Sequence, residues 1–456
     1  MSRHTFTLEA AMPTRPSAPH HTVVVGAGFA GLAAARRLRA LGADVTVGDQ
    51  RSVSTFQPLL YQVATAALSG DVVTHHVRTA LRSGARRRAR GTLRFRQATV
   101  VDLDLDRRRV VLADGAPLPY DTLVLAVGAV YDDLGVPGVR RYAYTLGTLQ
   151  GALALRTQLL AQLEAAALDP DDEAARTFVV AGAGPTGVET AGALSELLAA
   201  ARREAPELDG RPLRVLLIEP SSGVLHGYAP SSRTDAEARL RRAGVDVRLG
   251  TGVARVGAEQ VTLDDGSTLA TRTLVWAAGV RAHPLAERLG VPLERGHRVP
   301  VGPDLTLPGH PEVFVIGDLA GRVGSAAPHP QVAQVALQMG DHVGRAWRAR
   351  ARGAPVPAFR YRDRGQMAII ARHAAVAEIA HPFGSVRLRG VVAWLAWLAV
   401  HVAYLRGAHQ RLAALVAWLH EGIWRERSAR ASVAVEPVAQ GRGWPERDER
   451  RFDRAA

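Results

Sequence analysis

Apolar residues along this chain gather in short runs bounded by glycine or acidic residues, the pattern of buried strands rather than of long amphipathic helices. Residues 23–25 and 178–181 each run straight into a glycine-rich stretch and then into a segment of helical composition. Residues 45–47 and 215–218 follow, ending near Asp49 and at Glu219. Further on, Val110-Val111-Leu112-Ala113-Asp114-Gly115 precedes an apolar run closing at Gly128. Val261-Thr262-Leu263-Asp264-Asp265-Gly266 precedes one closing at Gly279. Both turn glycines, 115 and 266, lie 13 residues before their closing glycines, 128 and 279. A strand–helix–strand module with an Asp-Gly hairpin before its last strand therefore occurs twice.

The glycine-rich stretches are Gly26-Ala27-Gly28-Phe29-Ala30-Gly31 and Gly182-Ala183-Gly184-Pro185-Thr186-Gly187. Glycines at this spacing permit a tight strand-to-helix turn and close approach of backbone to a pyrophosphate, which the helix N-terminus then binds. An acidic residue after the second strand bonds a ribose hydroxyl. Asp49 lies 23 residues after Gly26; Glu219 lies 37 after Gly182, with a helix from 189 to about 203 and the polar loop 205–212 absorbing the excess over the usual interval of about 20. A carboxylate there repels the 2′-phosphate of NADPH, which favours NADH, while Arg211 and Arg214 nearby soften that preference. Val313-Phe314-Val315-Ile316-Gly317-Asp318 reads as a strand by which the chain returns to its first module. The expected fold is α/β, with two Rossmann-like dinucleotide-binding domains, one inserted in the other, plus a C-terminal amphipathic-helix membrane-anchoring region. The expected boundaries are a disordered extension at 1–20, flavin-binding parts at 21–148 and 282–350, a nicotinamide-binding domain at 149–281, a membrane-associating region at 351–430 and a disordered tail at 431–456.

Composition narrows the chemistry. No cysteine occurs, which excludes disulfides, zinc–thiolate and iron–sulfur sites and any redox thiol. All 57 basic residues are arginine, so no lysine Schiff base exists, and the net charge of +14 suggests an anionic partner. Two dinucleotides imply a flavin and a nicotinamide; without thiols, the flavin must reduce something that comes to it. No metal site is expected, and His75, His76 and His329 read as surface or packing residues. Residues 1–20 are polar and proline-rich, unlike a secretory signal, so a cytoplasmic location is expected.

Beyond about residue 386 the character changes. Residues 391–405 are strongly apolar between Arg389 and Arg406, yet shorter than the roughly 20 residues that span a bilayer. A second apolar segment covers 412–419, and four of the seven tryptophans lie between 394 and 424. Tryptophan beside arginine suits a membrane–water interface, so residues 391–425 are expected to lie on an anionic membrane surface. A packed core layer or a homodimer interface fits the composition about as well; the arginine surplus favours the membrane. Upstream, Asp318 is expected at a strand's C-terminal edge, beside a flavin ribityl chain. After Pro328-His329-Pro330 a helix from 331 to about 345 presents Gln334 and Gln338 on one face, where amides bond flavin or quinone carbonyls.

With these residues in place, the chain resembles the type II NADH dehydrogenases, single-subunit flavoproteins that reduce membrane quinone without pumping protons. The resemblance rests on Phe56-Gln57-Pro58-Leu59-Leu60-Tyr61-Gln62-Val63-Ala64-Thr65, Gly184-Pro185-Thr186-Gly187-Val188-Glu189, Ala277-Ala278-Gly279-Val280, Gly317-Asp318, Ala333-Gln334-Val335-Ala336-Leu337-Gln338 and Ala393-Trp394-Leu395-Ala396-Trp397. It implies FAD on the first fingerprint and NADH on the second, with Glu189 near the nicotinamide and Gln334 and Gln338 where flavin meets quinone. Cofactor-binding positions are expected at Gly26, Gly28, Gly31, Asp49, Gln57, Val100, Gly128, Gly317 and Asp318, and at Gly182, Gly184, Gly187, Glu219 and Gly279. Met339 and Ala371-Arg372-His373 depart from the family pattern. The expected enzyme passes hydride from NADH to FAD and two electrons on to quinone, at the cytoplasmic face of the membrane. The alternatives are a soluble NADH:ferredoxin reductase and a basic NADH-sensing flavoprotein that binds nucleic acid or protein; nucleic acid is not the expected partner.

Overall fold

In a computed structural model, which describes residues 20–82, 91–208, 210, 212–322, 328–381, 384–424 and 427, the apolar runs become two parallel sheets. The N-terminal extension (His20 apart), the tail beyond 430 and Arg211 lie outside the described residues. In the first module, β1 (His21–Val25) turns into α1 (Phe29–Leu41), and β2 (Asp44–Asp49), β3 (Leu93–Gln97) and β4 (Thr122–Leu125) follow. β1 is central, with Val24 opposite Val47 on one side and Val124 on the other, both parallel. Strands buried on both faces explain why these runs are continuously apolar instead of alternating.

The second module repeats the plan. After α2 (Leu149–Leu168), a helix not read from the sequence, come β5 (Thr177–Ala181), α3 (Pro185–Glu204), β6 (Arg214–Glu219), β7 (Val245–Leu249) and β8 (Thr273–Trp276). The sheet order is β7-β6-β5-β8, all parallel. Each module carries an antiparallel meander before its last strand, and Gly115 (φ +78°) and Gly266 (φ +82°) make the left-handed turn residues there. The chain leaves the first module and re-enters it through a two-stranded crossing of Ala129–Tyr131 with Val280–Ala282. β9 (His310–Val315) then pairs parallel with β4, Val313 opposite Leu123.

α4 (Ala333–Ala351) runs past the expected end of its helix and lies tightly on α1. At Gly340 an added Cβ would sit 2.5 Å from the Ala30 carbonyl oxygen, so only glycine lets the helices approach this closely. A third sheet, absent from the sequence reading, follows: β10 (Gln366–Ala371), β11 (Ala374–His381) and β12 (Gly384–Arg389), all antiparallel. It rests on α3, where Gly192 leaves no room for a side chain against the Ile370 carbonyl. α5 (Gly390–Tyr404) and α6 (Ala408–Trp424) complete the described chain. Among the described residues no helix is long and apolar enough to cross a membrane.

Candidate active site

The two glycine turns are built alike. Gly26 (φ +102°) and Gly182 (φ +99°) occupy left-handed backbone, and a Cβ on either would strike the carbonyl of the module's last strand, at 2.4 Å (Ala126) or 2.6 Å (Ala277). Gly31 and Gly187 press their helix against the turn, within 1.9 and 1.7 Å of the Gly26 and Gly182 carbonyl oxygens for an added Cβ. Gly28 and Gly184 face open space within 4 Å, and neither helix has a side-chain cap. The free N-terminal amides of α1 and α3 thus look onto a surface from which side chains are excluded, which fits a dinucleotide pyrophosphate.

The acidic residues lock these turns. The Ala27 N–H donates to Asp49 Oδ2 at 2.7 Å, and the Ala183 N–H donates to Glu219 Oε2 at 2.7 Å. Glu219 also accepts from the Ser221 N–H at 3.0 Å and is buried, so it is not a strand cap on the surface. Its long interval is taken up by the 20 residues of α3. Arg214 pairs with Glu173 at 3.3 Å and Asp246 at 3.9 Å, which keeps its charge away from a ribose phosphate.

Around the first turn, Gln57 is exposed and donates to the Gly147 carbonyl at 3.3 Å. Val100 starts a meander strand opposite Leu112, and Gly128 (φ +78°) and Gly279 stand where the chain enters the crossing. Gly317 (φ +71°) and Asp318 form the turn after β9. Burial pushes the Asp318 carboxyl up to about 6, with Arg298 pulling the other way. Met339 does not share the glutamine face: it lies buried beneath this turn, its sulfur 3.1 Å from the Gly317 nitrogen.

Gln334 and Gln338 are engaged with backbone. Gln334 donates to the Gly365 carbonyl at 2.9 Å and accepts from the Arg364 N–H at 3.2 Å. Gln338 donates to the Arg362 carbonyl and accepts from the Arg362 N–H, both at 2.9 Å. The pair stitches α4 to the segment that leads into the third sheet.

Glu189, 8% exposed, sits on α3 beneath that sheet and accepts from the Ile369 N–H at 3.3 Å. Burial pushes its carboxyl up to about 8; the Ile369 N–H and the indole of Trp397, which closes no hydrogen bond within 3.5 Å, pull it down. Trp397 therefore reaches the protein interior from α5. It is 0% exposed, stacks on His401 at 3.7 Å and meets Trp418 edge-on at 5.9 Å. Trp418 donates to Gln62 Oε1 at 2.8 Å, and Trp394 lies against His373. Trp397 faces inward, which corrects the expectation of an interfacial ring for that residue, while Trp394 and Trp418 are half-buried against these partners. The outward residues are aliphatic instead, Val392 and Leu395 on α5 and Leu412, Leu415, Leu419 and Ile423 on α6. Among the described residues no acidic or histidine cluster is placed to hold a metal ion.

A family model for pyridine nucleotide-disulphide oxidoreductases matches residues 20–340. The type II NADH:quinone oxidoreductase NdhA of Mycobacterium tuberculosis is 36% identical over 451 residues, covering 94% of this chain and 92% of its own. This chain belongs to the type II NADH:quinone oxidoreductases. A second member of that family from the same organism, Ndh, is 36% identical over 423 residues, 89% of this chain and 88% of the relative. The structure of NDH2 from Plasmodium falciparum in complex with NADH matches with a TM-score of 0.80, covering 89% of this chain and 99% of that one; at 18% identity it shows the shared fold. The disulphide in the broader family's description has no counterpart in this type II enzyme, which lacks cysteine.

Proposed function

We propose that this chain transfers hydride from NADH to FAD and passes two electrons on to a quinone, without pumping protons, as a peripheral enzyme at the cytoplasmic face of a membrane. The carrying observation is the pair of equivalent glycine cradles on a chain without cysteine: electrons passing between two dinucleotides have no thiol to receive them and must leave on a diffusing acceptor. In this reading the flavin-binding parts keep the boundaries 21–148 and 282–350 and the nicotinamide-binding domain keeps 149–281. FAD lies along Gly26, Gly28 and Gly31, with Asp49 at its ribose, Gln57, Val100 and Gly128 along its length, and Gly317 and Asp318 at its ribityl chain. NADH lies along Gly182, Gly184, Gly187 and Gly279, with Glu219 at its adenosine ribose.

When bound, FAD supplies the two-electron relay that no side chain of this protein offers. The chain's own residues orient and shield. The uncapped start of α4 favours negative charge near Gly317 and Asp318. Gln334 and Gln338 hold the 362–365 backbone beside that helix and so shape the approach of a quinone. Glu189 keeps a proton at neutral pH in a site closed to water. The quinone relatives speak against ferredoxin as acceptor and against a nucleic-acid role.

The test is anaerobic stopped-flow on the detergent-solubilised holoprotein. NADH should bleach the flavin absorption rapidly, and a short-chain quinone should restore it rapidly. Bleaching that quinone cannot reverse would refute the reading.

A further inference from the structure

Arg406 stands in the turn between α5 and α6 without a counter-charge. It is half-buried, and its guanidinium lies 5.8 Å from the centre of the Phe29 ring at the start of α1. Among the described residues it makes neither an ion pair nor a hydrogen bond. Burial, and then the charge of Arg36, push its pKa down to about 10. A guanidinium drawn out of water with none of its donors paired costs stability, and a bound anion offsets that cost. Arg411, on the other side of the turn, is differently engaged. It donates to the Leu405 carbonyl at 2.9 Å and the Ala403 carbonyl at 3.2 Å, which fixes the turn that carries Arg406.

Three further features meet at this turn. Gly407 (φ +92°) lays bare backbone against His75 of the strand Thr74–His76: an added Cβ would come within 3.3 Å of the imidazole Cε1. The His75 Nε2 is buried and has no hydrogen-bond partner. α6 starts at the next residue with no acidic side chain in its first turn, so its leading amides keep their positive end uncompensated. On the other flank is Arg36, seven residues along α1 from Phe29 and therefore on the same side, about 10 Å further on. It donates to the Ala80 carbonyl at 3.0 Å, in the helix Val77–Arg82 that follows His75. Burial first, then Arg406 and Arg36, hold the His75 imidazole below its ordinary range. Among the described residues no carboxylate pairs with Arg406 or His75.

We propose that Arg406, His75 and the first turn of α6, with Arg36 behind them, form a binding site for a phosphate group, and that its occupant is the headgroup phosphate of an anionic lipid. The chemistry of the site calls for phosphate: a planar guanidinium fork, an imidazole N–H and helix-start amides all donate, and a tetrahedral anion accepts from several directions at once. What adjoins the site calls for a lipid. Leu412, Leu415 and Leu419 rise from the same helix start and are 63%, 46% and 64% exposed, so an acyl chain anchored at Arg406 lies along them. The proposal rests on the membrane-bound reading given above and adds to it one defined contact, which seats the α5–α6 turn on a headgroup.

The experiment titrates the FAD-loaded full chain, in a neutral detergent, with dioctanoylphosphatidylglycerol, inorganic phosphate and uncharged dioctanoylglycerol, followed by calorimetry. Wild type should bind the phospholipid with one-to-one stoichiometry, bind phosphate roughly tenfold or more weakly for want of the acyl contacts, and show no heat with the diacylglycerol. Arg406→Gln and His75→Phe should each weaken phospholipid binding roughly tenfold. Arg107→Gln removes the same charge from an exposed residue of the first module's meander and should bind as wild type does. Should Arg406→Gln fail to fold, His75→Phe decides alone. Phosphate binding as tight as phospholipid binding would overturn the lipid as occupant. Phospholipid binding that neither variant weakens would overturn the site. So would loss of FAD from Arg406→Gln with lipid binding intact in His75→Phe, since the arginine would then belong to the cofactor. Flotation of wild type on vesicles with and without phosphatidylglycerol tests the reading beneath: binding of the short phospholipid without binding to either vesicle would overturn membrane association and leave the phosphate site standing.

Discussion

Glu189 shows how one buried side chain ties chemistry to stability. A carboxyl ordinarily near 4.5 is held at about 8 in the folded protein. The folded state therefore binds more protons than the unfolded chain across that interval. Its contribution is fully present below about pH 4.5 and is lost as pH rises through 8. Each pH step of one across that interval is worth about 1.4 kcal/mol, so the loss is about 5 kcal/mol as an upper bound. Glu189→Gln cannot ionise, so its melting temperature should fall less than that of wild type between pH 5 and pH 9. Thermal unfolding of both holoproteins at the two pH values measures the difference, and parallel slopes would show that the carboxyl is not held protonated. The glycines at 28 and 184 act through what they lack, since a side chain there would occupy the surface kept open for a phosphate.

At the scale of elements, what was legible in the sequence is what local rules govern. The two fingerprints could be read because turn geometry, strand burial and helix N-terminus all fall within a few consecutive residues. The return strand at β9 was legible from its unbroken apolar run. The third sheet was not: β10 and β11 are rich in alanine (Ala368, Ala371, Ala374, Ala375, Ala377), a poor strand former, and they are held by Gly192 of α3, far off in sequence. The amides of Gln334 and Gln338 find partners 24 to 31 residues away, so a shared helix face did not reveal what they touch. The composition of α5 likewise gave no direction to its tryptophans. That direction is testable within one helix. Trp397→Ala empties a fully buried site and should cost about 3–5 kcal/mol, detaching α5 from Glu189. Leu395→Ser, on the 54% exposed side of the same helix, should change stability by less than about 0.5 kcal/mol. Equal effects in chemical denaturation would mean that the helix is not seated through its tryptophan.

For the whole molecule, the outward side of the C-terminal helices is the feature that a soluble domain alone does not explain. Leu412, Leu415, Leu419 and Ile423 recur at spacings of three and four and are all more than 45% exposed, an apolar stripe on the wrong side of α6 for a protein in water. If, as proposed, the enzyme lies on a membrane, two forces act together there: the +14 net charge attracts anionic headgroups and weakens with salt, while the stripe buries in the acyl boundary and does not. Vesicle flotation should separate them. Wild type should bind anionic vesicles more tightly than neutral ones at low salt, and a salt-resistant fraction should persist on both. Leu412→Ser/Leu415→Ser/Leu419→Ser removes about 1 kcal/mol of apolar burial per site, half the value for full burial because each side chain reaches the bilayer on one face only. A combined loss of about 3 kcal/mol lowers the partition coefficient roughly 100-fold. The salt-resistant fraction should disappear while the low-salt binding to anionic vesicles persists in weakened form, with the flavin retained. If the triple variant binds as wild type does, and a wild-type dimer becomes a monomer in the variant, the stripe joins two copies of the chain, and membrane association must be sought elsewhere on its arginine-rich surface.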